Sequence, residues 1–223
     1  MKTVLLTGAN GGLGFSIAKL LLEKNYFVIL HYHEKSNQVQ FLNKKYSKQS
    51  YLLKGDLSKS KDIESMKKKC DSLNLKVDIL INNAGIDNVS EMDEKNAGTM
   101  LNVFKVNTLA PFLLSKAFAK DINKRKGYII NISSDNTIDA FDYVTLEYDI
   151  SKAGLNMLTK DLALYYKDAH INAIAFSWID TEQNKIPEDI KPYIKFIPKE
   201  KAAQKVLEML SKKETGQIEV VKE

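Results

Sequence analysis

Tyr148 and Lys152 are four residues apart. On a helix, that spacing puts both side chains on one face. A free phenol titrates near ~10 and is a poor base at neutral pH, but a neighbouring ammonium favours the phenolate. Such a pair can give a proton to an oxygen or take one away. Ser134 lies 14 residues before Tyr148. A hydroxyl there can hold a carbonyl oxygen while negative charge builds on it. Ser133 competes with Ser134 for that role. Each signal is weak alone, because Tyr-x-x-x-Lys is common on helix surfaces and a serine after a strand is ordinarily a turn residue.

A second group of residues suits an anionic ligand. Thr7-Gly8-Ala9-Asn10-Gly11-Gly12-Leu13-Gly14 follows the apolar run in Lys2–Leu6 and opens an apolar-periodic segment from Phe15 to Leu22. That order reads as strand, glycine turn, helix. Glycines let the backbone turn tightly and approach a diphosphate, whose charge a helix N-terminus favours. Downstream, Asn82-Asn83-Ala84-Gly85 closes the run Ile79–Ile81, and Ser134 follows Tyr128–Ile132.

These groups must be positioned by the elements around them. Short apolar runs at Thr3–Thr7, Phe27–Tyr32, Ser50–Leu53, Ile79–Asn82, Tyr128–Ile132, Ile171–Ala175 and Ile218–Val221 read as strands. Amphipathic segments at Gly12–Lys24, Asn37–Tyr46, Ser60–Leu73, Ala97–Ile122, Val144–Tyr166 and Lys199–Leu210 read as helices. The alternation predicts an α/β fold: a doubly wound, mostly parallel seven-stranded sheet with helices on both faces, Rossmann-like, in one domain over 1–223. Ligands of such sheets bind above the carboxyl ends of the strands. Pro111 falls inside the long Ala97–Ile122 segment and either kinks it or marks a break. Pro187, Pro192 and Pro198 make residues 178–199 the least regular region, a candidate substrate loop or lid.

The glycine string, Asn82-Asn83-Ala84-Gly85, Ser134 and Tyr148-x-x-x-Lys152, in this order and spacing, resemble the short-chain dehydrogenase/reductase family over Lys2 to about Thr181. The motifs look most like those of the 3-oxoacyl-carrier-protein reductase group, followed by sugar or small-alcohol dehydrogenases. The resemblance implies hydride transfer between a nicotinamide dinucleotide and a carbonyl or alcohol. Tyr148 becomes the general acid or base, and Lys152 tunes it while holding the nicotinamide ribose. Ser134 positions the substrate oxygen, and the backbone carbonyl of Asn107 supports a water relay. Gly8, Asn10, Gly12, Leu13 and Gly14 would cradle the cofactor, with Asn83, Ala84 and Gly85 near the adenosine ribose. Asp56 and Leu57 fall at the adenine, although Asp56 also reads as a cap or turn residue before Ser58–Asp62. Ile179 and Thr181 stand where nicotinamide-carboxamide contacts would come from. Phe176-Ser177 replaces the family's Pro-Gly, which motivates an alternative: a non-catalytic NAD(P)-binding redox sensor.

An acidic residue at the end of the second strand would bond a ribose 2′-hydroxyl and repel a 2′-phosphate. Tyr32 stands there, with His33, Lys35 and Ser36 available to a phosphate. This favours NADP(H) over NAD(H), against Glu34 and the absence of a basic residue at Asn10.

Composition narrows the remaining classes. The 223 residues carry a net charge of +5, almost all of it from lysine, with Arg125 the single arginine. Nucleic-acid readers favour arginine and interleaved aromatic rings, so solvated helix faces are the expectation and nucleic acid is not an expected partner. No apolar run approaches the ~20 residues of a membrane span, and a cytoplasmic location is the default. Cys70 is the only cysteine; it excludes an internal disulfide and a cysteine metal cluster, and no metal is expected. The expected partners are a small-molecule or acyl-carrier-bound carbonyl substrate and further copies of the chain, as a homodimer or homotetramer.

Overall fold

The computed structural model describes residues 1–34, 37–138, 143–181 and 191–223. Strands and helices alternate as β1 (Thr3–Leu6), α1 (Gly12–Glu23), β2 (Phe27–Tyr32), α2 (Asn37–Lys45), β3 (Ser50–Lys54), α3 (Ser60–Ser72), β4 (Ile79–Asn82), α4 (Ala97–Phe104), α5 (Ala110–Lys124), β5 (Tyr128–Ser134), α6 (Leu146–Tyr165) and β6 (His170–Phe176). The short strands β7 (Ile179–Asp180) and β8 (Ile197–Pro198) follow, then α7 (Lys199–Met209) and β9 (Ile218–Val221). Seven strands form one sheet in the order β3-β2-β1-β4-β5-β6-β9, every pair parallel.

Side chains of a strand alternate between faces, so each strand feeds two cores. In β1, Val4 and Leu6 enter a core with α1, α2 and α7, while Leu5 enters the opposite core with α3 and α5. In β5, Ile130 and Ile132 take the first side and Ile129 the second. Burial on both faces is why these strands read as continuous apolar runs. Helix α1 buries Leu13, Ile17 and Leu21 along one stripe and stops where Asn25 takes the left-handed conformation at φ 61.

Two segments refine the sequence expectation, the first by placing the break that Pro111 signalled. The long helix over Ala97–Ile122 is interrupted by a π-helical turn at Lys105–Leu109 before Pro111 enters the first turn of α5. A proline there has no N–H to give to the preceding turn, and the chain accommodates it by widening. Within the candidate loop 178–199, β7 and β8 pair in parallel, Ile179 opposite Ile197. The run is too short to register as a strand in sequence. Residues 182–190 of that loop, Pro187 included, and the phosphate candidates Lys35 and Ser36 lie outside the described residues. No described helix is long and apolar enough to cross a membrane.

Candidate active site

The strand order reverses between β1 and β4. Their carboxyl ends part there, and a cleft of about 600 Å³ opens above them. One end is built by the glycine turn. Gly8 has φ +65, and a Cβ on it would lie 2.9 Å from the Ala84 backbone. A Cβ on Gly14 would lie 2.1 Å from the Gly8 carbonyl oxygen, so α1 can start against the turn only with glycine at that position. The N-terminus of α1 has no side-chain cap and no carboxylate in its first turn. Its free N–H groups suit a diphosphate.

Two side chains stitch this end together. Thr7 Oγ1 accepts from the N–H groups of Asn83 and Ala84 at 2.9 and 3.0 Å. Asn83 Nδ2 donates to the carbonyls of Thr7 and Gly8 at 3.0 and 3.2 Å. Asn82 donates to Asn131 at 2.8 Å, and Asn131 to Thr159 at 2.8 Å, linking β4, β5 and α6 through a buried polar line. Beneath the glycine turn lies His31, 2 % exposed. Its Nδ1 accepts from the Gly8 N–H at 3.1 Å, and its Nε2 lies 3.1 Å from the Gly55 carbonyl. Burial pulls its pKa down to about 4, with His33 adding to the effect against the Gly55 bond. The imidazole is therefore neutral at physiological pH and bridges the glycine turn to the end of β3.

At the glycine end of the cleft, burial works against the Asp56 carboxylate, but bonds from Ser58 and Lys59 outweigh it and hold its pKa near 2. Asp56 accepts from the Ser58 N–H at 3.0 Å and lines the cleft, so it is at once the turn residue and a wall of the pocket. His33 Nε2 lies 3.7 Å from the Asp56 carboxylate.

The other end gathers the proton-transfer candidates. Ser134 ends β5, and its hydroxyl is the hydrogen-bond partner of the Tyr148 phenol. Lys152 Nζ lies 5.3 Å from the Tyr148 ring centre and donates to the Ile132 carbonyl at 2.6 Å. Burial pulls the Lys152 pKa from 10.5 down to about 8. Burial also pushes the Tyr148 phenol above its usual range; the Ser134 bond opposes this, and the carboxylates of Asp87, Asp149 and Asp135 reinforce it. With the protein's own groups alone, Tyr148 is thus a protonated phenol at neutral pH.

Asn107 is fully buried, and its side chain is already engaged. Oδ1 accepts from the Ile86 N–H at 2.9 Å, while Nδ2 donates to the Ile86 carbonyl at 2.8 Å and to Ser151 Oγ at 2.9 Å. Only its backbone remains for chemistry. The N–H that would bond the Asn107 carbonyl in an α-helix belongs to residue 111, and proline has none.

Of the residues singled out from sequence, the cleft wall includes Gly8, Gly12, Leu13, Gly14, His33, Asp56, Leu57, Asn83, Ala84, Gly85, Ser134, Tyr148, Lys152, Ile179 and Thr181. Tyr32 packs against the first core instead. Asn10 has a buried, unpartnered Oδ1, and neither residue is on the wall. Phe176 is 3 % exposed and packs with Ile132 and Ile174; it forms part of the wall and leaves the cleft open. The sequence reading missed His31, whose signal was a lone polar residue in the buried run Phe27–Tyr32. It also missed Asp87, Asp135, Asn136 and Trp178, which line the cleft and carry no motif. A further omission is the buried pair of Glu147 and Lys95, 2.6 Å apart, which also engages Asn88 and Thr99. It ties the loop after β4 to the helix that carries Tyr148.

Residues 2–189 match the family described as short chain dehydrogenase. The chain belongs to that family. It is an oxidoreductase fold acting on alcohol or carbonyl groups. It is 30 % identical to glucose 1-dehydrogenase 2 of Bacillus subtilis (strain 168), over 99 % of this chain and 84 % of that one. It is 31 % identical to 3beta-hydroxysteroid dehydrogenase 1 of Eggerthella lenta, over 82 % of this chain and 72 % of that one. Among solved structures, 4-hydroxyisoleucine dehydrogenase complexed with NADH superposes with a TM-score of 0.90 at 26 % identity, covering 99 % of this chain and 97 % of that one.

Proposed function

We propose that this protein is an NAD(P)(H)-dependent oxidoreductase that interconverts a ketone and a secondary alcohol. The observation that carries the reading is the meeting of Ser134, Tyr148 and Lys152 at one end of a cleft whose other end is a glycine-lined, uncapped helix N-terminus. When bound, the dinucleotide supplies or accepts hydride at its nicotinamide ring. Ser134 holds the substrate oxygen by donating to it. Tyr148, a protonated phenol in this environment, gives that oxygen its proton in the reducing direction. Lys152, with its pKa near 8, exchanges protons readily around neutral pH and can resupply Tyr148. The backbone carbonyl of Asn107, whose α-helical donor position is occupied by Pro111, is suited to hold a water on that path. Orientation and charge stabilisation supply most of the rate.

NADP(H) is the favoured cofactor. A recess beside the adenine wall is lined by His33, Lys54 and Lys59, side chains suited to a 2′-phosphate, although Asp56 and Asp62 share it. Sugar and small-alcohol substrates suit the cleft better than 3-oxoacyl thioesters, because its substrate end is lined by Asp87, Asp135 and Asn136 rather than by an apolar tunnel. A homodimer is supported by Ile150, Met157 and Leu164, exposed by 45, 57 and 67 % at a spacing of seven along α6, beside exposed Leu101, Phe104 and Phe112 of α4 and α5.

The test pairs fluorescence titration of NADPH and NADH with turnover on a ketone and sugar panel, for wild type and Tyr148→Phe. The expected result is tighter NADPH binding and a loss of roughly 10²–10⁴ in kcat for the variant, with cofactor affinity unchanged. Cofactor binding with no turnover in either protein would favour the redox-sensor alternative.

A further inference from the structure

Two carboxylates line the end of the cleft that holds Ser134 and Tyr148. At the substrate end, Asp87 comes from the loop after β4 and Asp135 follows Ser134 directly, so carboxylates from two separate elements flank the hydroxyl pair of Ser134 and Tyr148. Among the described cleft-lining residues, Lys152 is the only lysine and there is no arginine; its ammonium is already held by the Ile132 carbonyl. A carboxylate or phosphate next to the reacting carbonyl would meet two like charges and no arginine fork. The same end also carries a buried hydroxyl with unused bonding capacity. Ser133 lines the cleft, is 3 % exposed, and its Oγ has no partner. Asn136 and Thr145 complete a polar wall, while Ile86 and Trp178, exposed by 36 and 43 %, add apolar surface for the carbon skeleton.

We propose that Asp87, together with Asp135, selects the substrate: the site takes a ketone or secondary alcohol bearing a hydrogen-bond donor, hydroxyl or ammonium, next to the reacting carbon, and rejects one bearing a carboxylate or phosphate there. This rests on the oxidoreductase reading above and names its substrate class. Asp87 is exposed, whereas Asp135 is buried at the base of the wall. Asp87 is therefore the position at which charge can be changed with least disturbance to folding. Asp149, the third carboxylate near Tyr148, accepts from Asn136 at 2.9 Å and Thr145 at 3.3 Å; it belongs to the start of α6 and is assigned no contact with substrate.

The experiment measures kcat/KM for three ketones of matched size, hydroxyacetone, protonated aminoacetone and pyruvate, with saturating reduced cofactor, for wild type and Asp87→Asn. The wild type should prefer hydroxyacetone and aminoacetone to pyruvate by about tenfold or more, the scale of one like-charge contact near a protein surface. Asp87→Asn should narrow the ratio of aminoacetone to pyruvate by about tenfold while changing hydroxyacetone least. A preference for aminoacetone over hydroxyacetone that vanishes in the variant identifies the ammonium as the donor; equal use of the two identifies the hydroxyl. Pyruvate turned over as efficiently as hydroxyacetone, or a ratio unchanged by the substitution, would overturn the proposal while leaving the oxidoreductase reading intact. No turnover of any of the three would overturn it outright. Failure to bind either dinucleotide would remove the reading beneath it.

Discussion

Lys152 places a titrating amine inside the fold, and its stability cost is measurable. The side chain is 3 % exposed, and burial lowers its pKa from 10.5 to about 8. Each pKa unit corresponds to ~1.4 kcal/mol, so a protonated Lys152 lowers stability by about 3 kcal/mol. Between pH 8 and 10.5 the unfolded chain binds more protons at this residue than the native one, and stability rises with pH across that window. Below pH 8 the full penalty is present. Cys70 acts in the opposite direction, because burial raises its pKa from 9.0 to about 11 and stability at that site falls as pH passes 9. The perturbation that isolates the lysine is Lys152→Met, which keeps the apolar stem and removes the charge. It also deprives the Ile132 carbonyl of its donor, a loss of ~1–2 kcal/mol. At pH 7 the variant should therefore be more stable than wild type by about 1–2 kcal/mol while losing turnover. Urea denaturation of both proteins from pH 6 to 10 is the assay, with the difference between the two curves as the readout, since Cys70 and the other groups cancel in it. The wild type should close the gap as pH rises and overtake the variant. A difference independent of pH, or a variant less stable at pH 7 by several kcal/mol, would refute the reasoning.

The Glu147–Lys95 pair, with side chains 1 and 8 % exposed, should resist single replacement. Glu147→Gln leaves a buried ammonium without its counter-charge and should lower the unfolding free energy by ~3–5 kcal/mol in urea denaturation, while the double variant that combines Glu147→Gln with Lys95→Met should cost less than the sum of the singles. Met157→Lys on the exposed stripe of α6 should convert a wild-type dimer to monomer in sedimentation equilibrium; identical masses for the two proteins would remove that face as the interface.

Much of the site was legible because its requirements are local. Gly8 must be glycine because a Cβ there would lie 2.9 Å from the Ala84 backbone, and Gly14 must be glycine to clear the Gly8 carbonyl, so the turn is written in closely spaced residues. Tyr148 and Lys152 share a helix, and their separation along it is a matter of pitch. Parallel strands buried on both faces leave unbroken apolar runs, and for that reason the sheet could be read as seven strands before its order was known. Other features arise from pairings across the sheet and between helices, which no local pattern encodes. The His31 bridge joins Gly8 to Gly55, and the Asn107 clamp joins a π turn to Ile86 and Ser151. The acidic wall at Asp87 and Asp135 arises from strand order, because β4 and β5 must lie side by side before the loops that follow them can face one ligand. Sequence alone determined which residues can turn, pair and stand as candidates for proton transfer, since those properties belong to single residues and short spacings. Tertiary structure alone decided which charges meet across the cleft, because Coulomb interactions follow distance through space and are indifferent to distance along the chain.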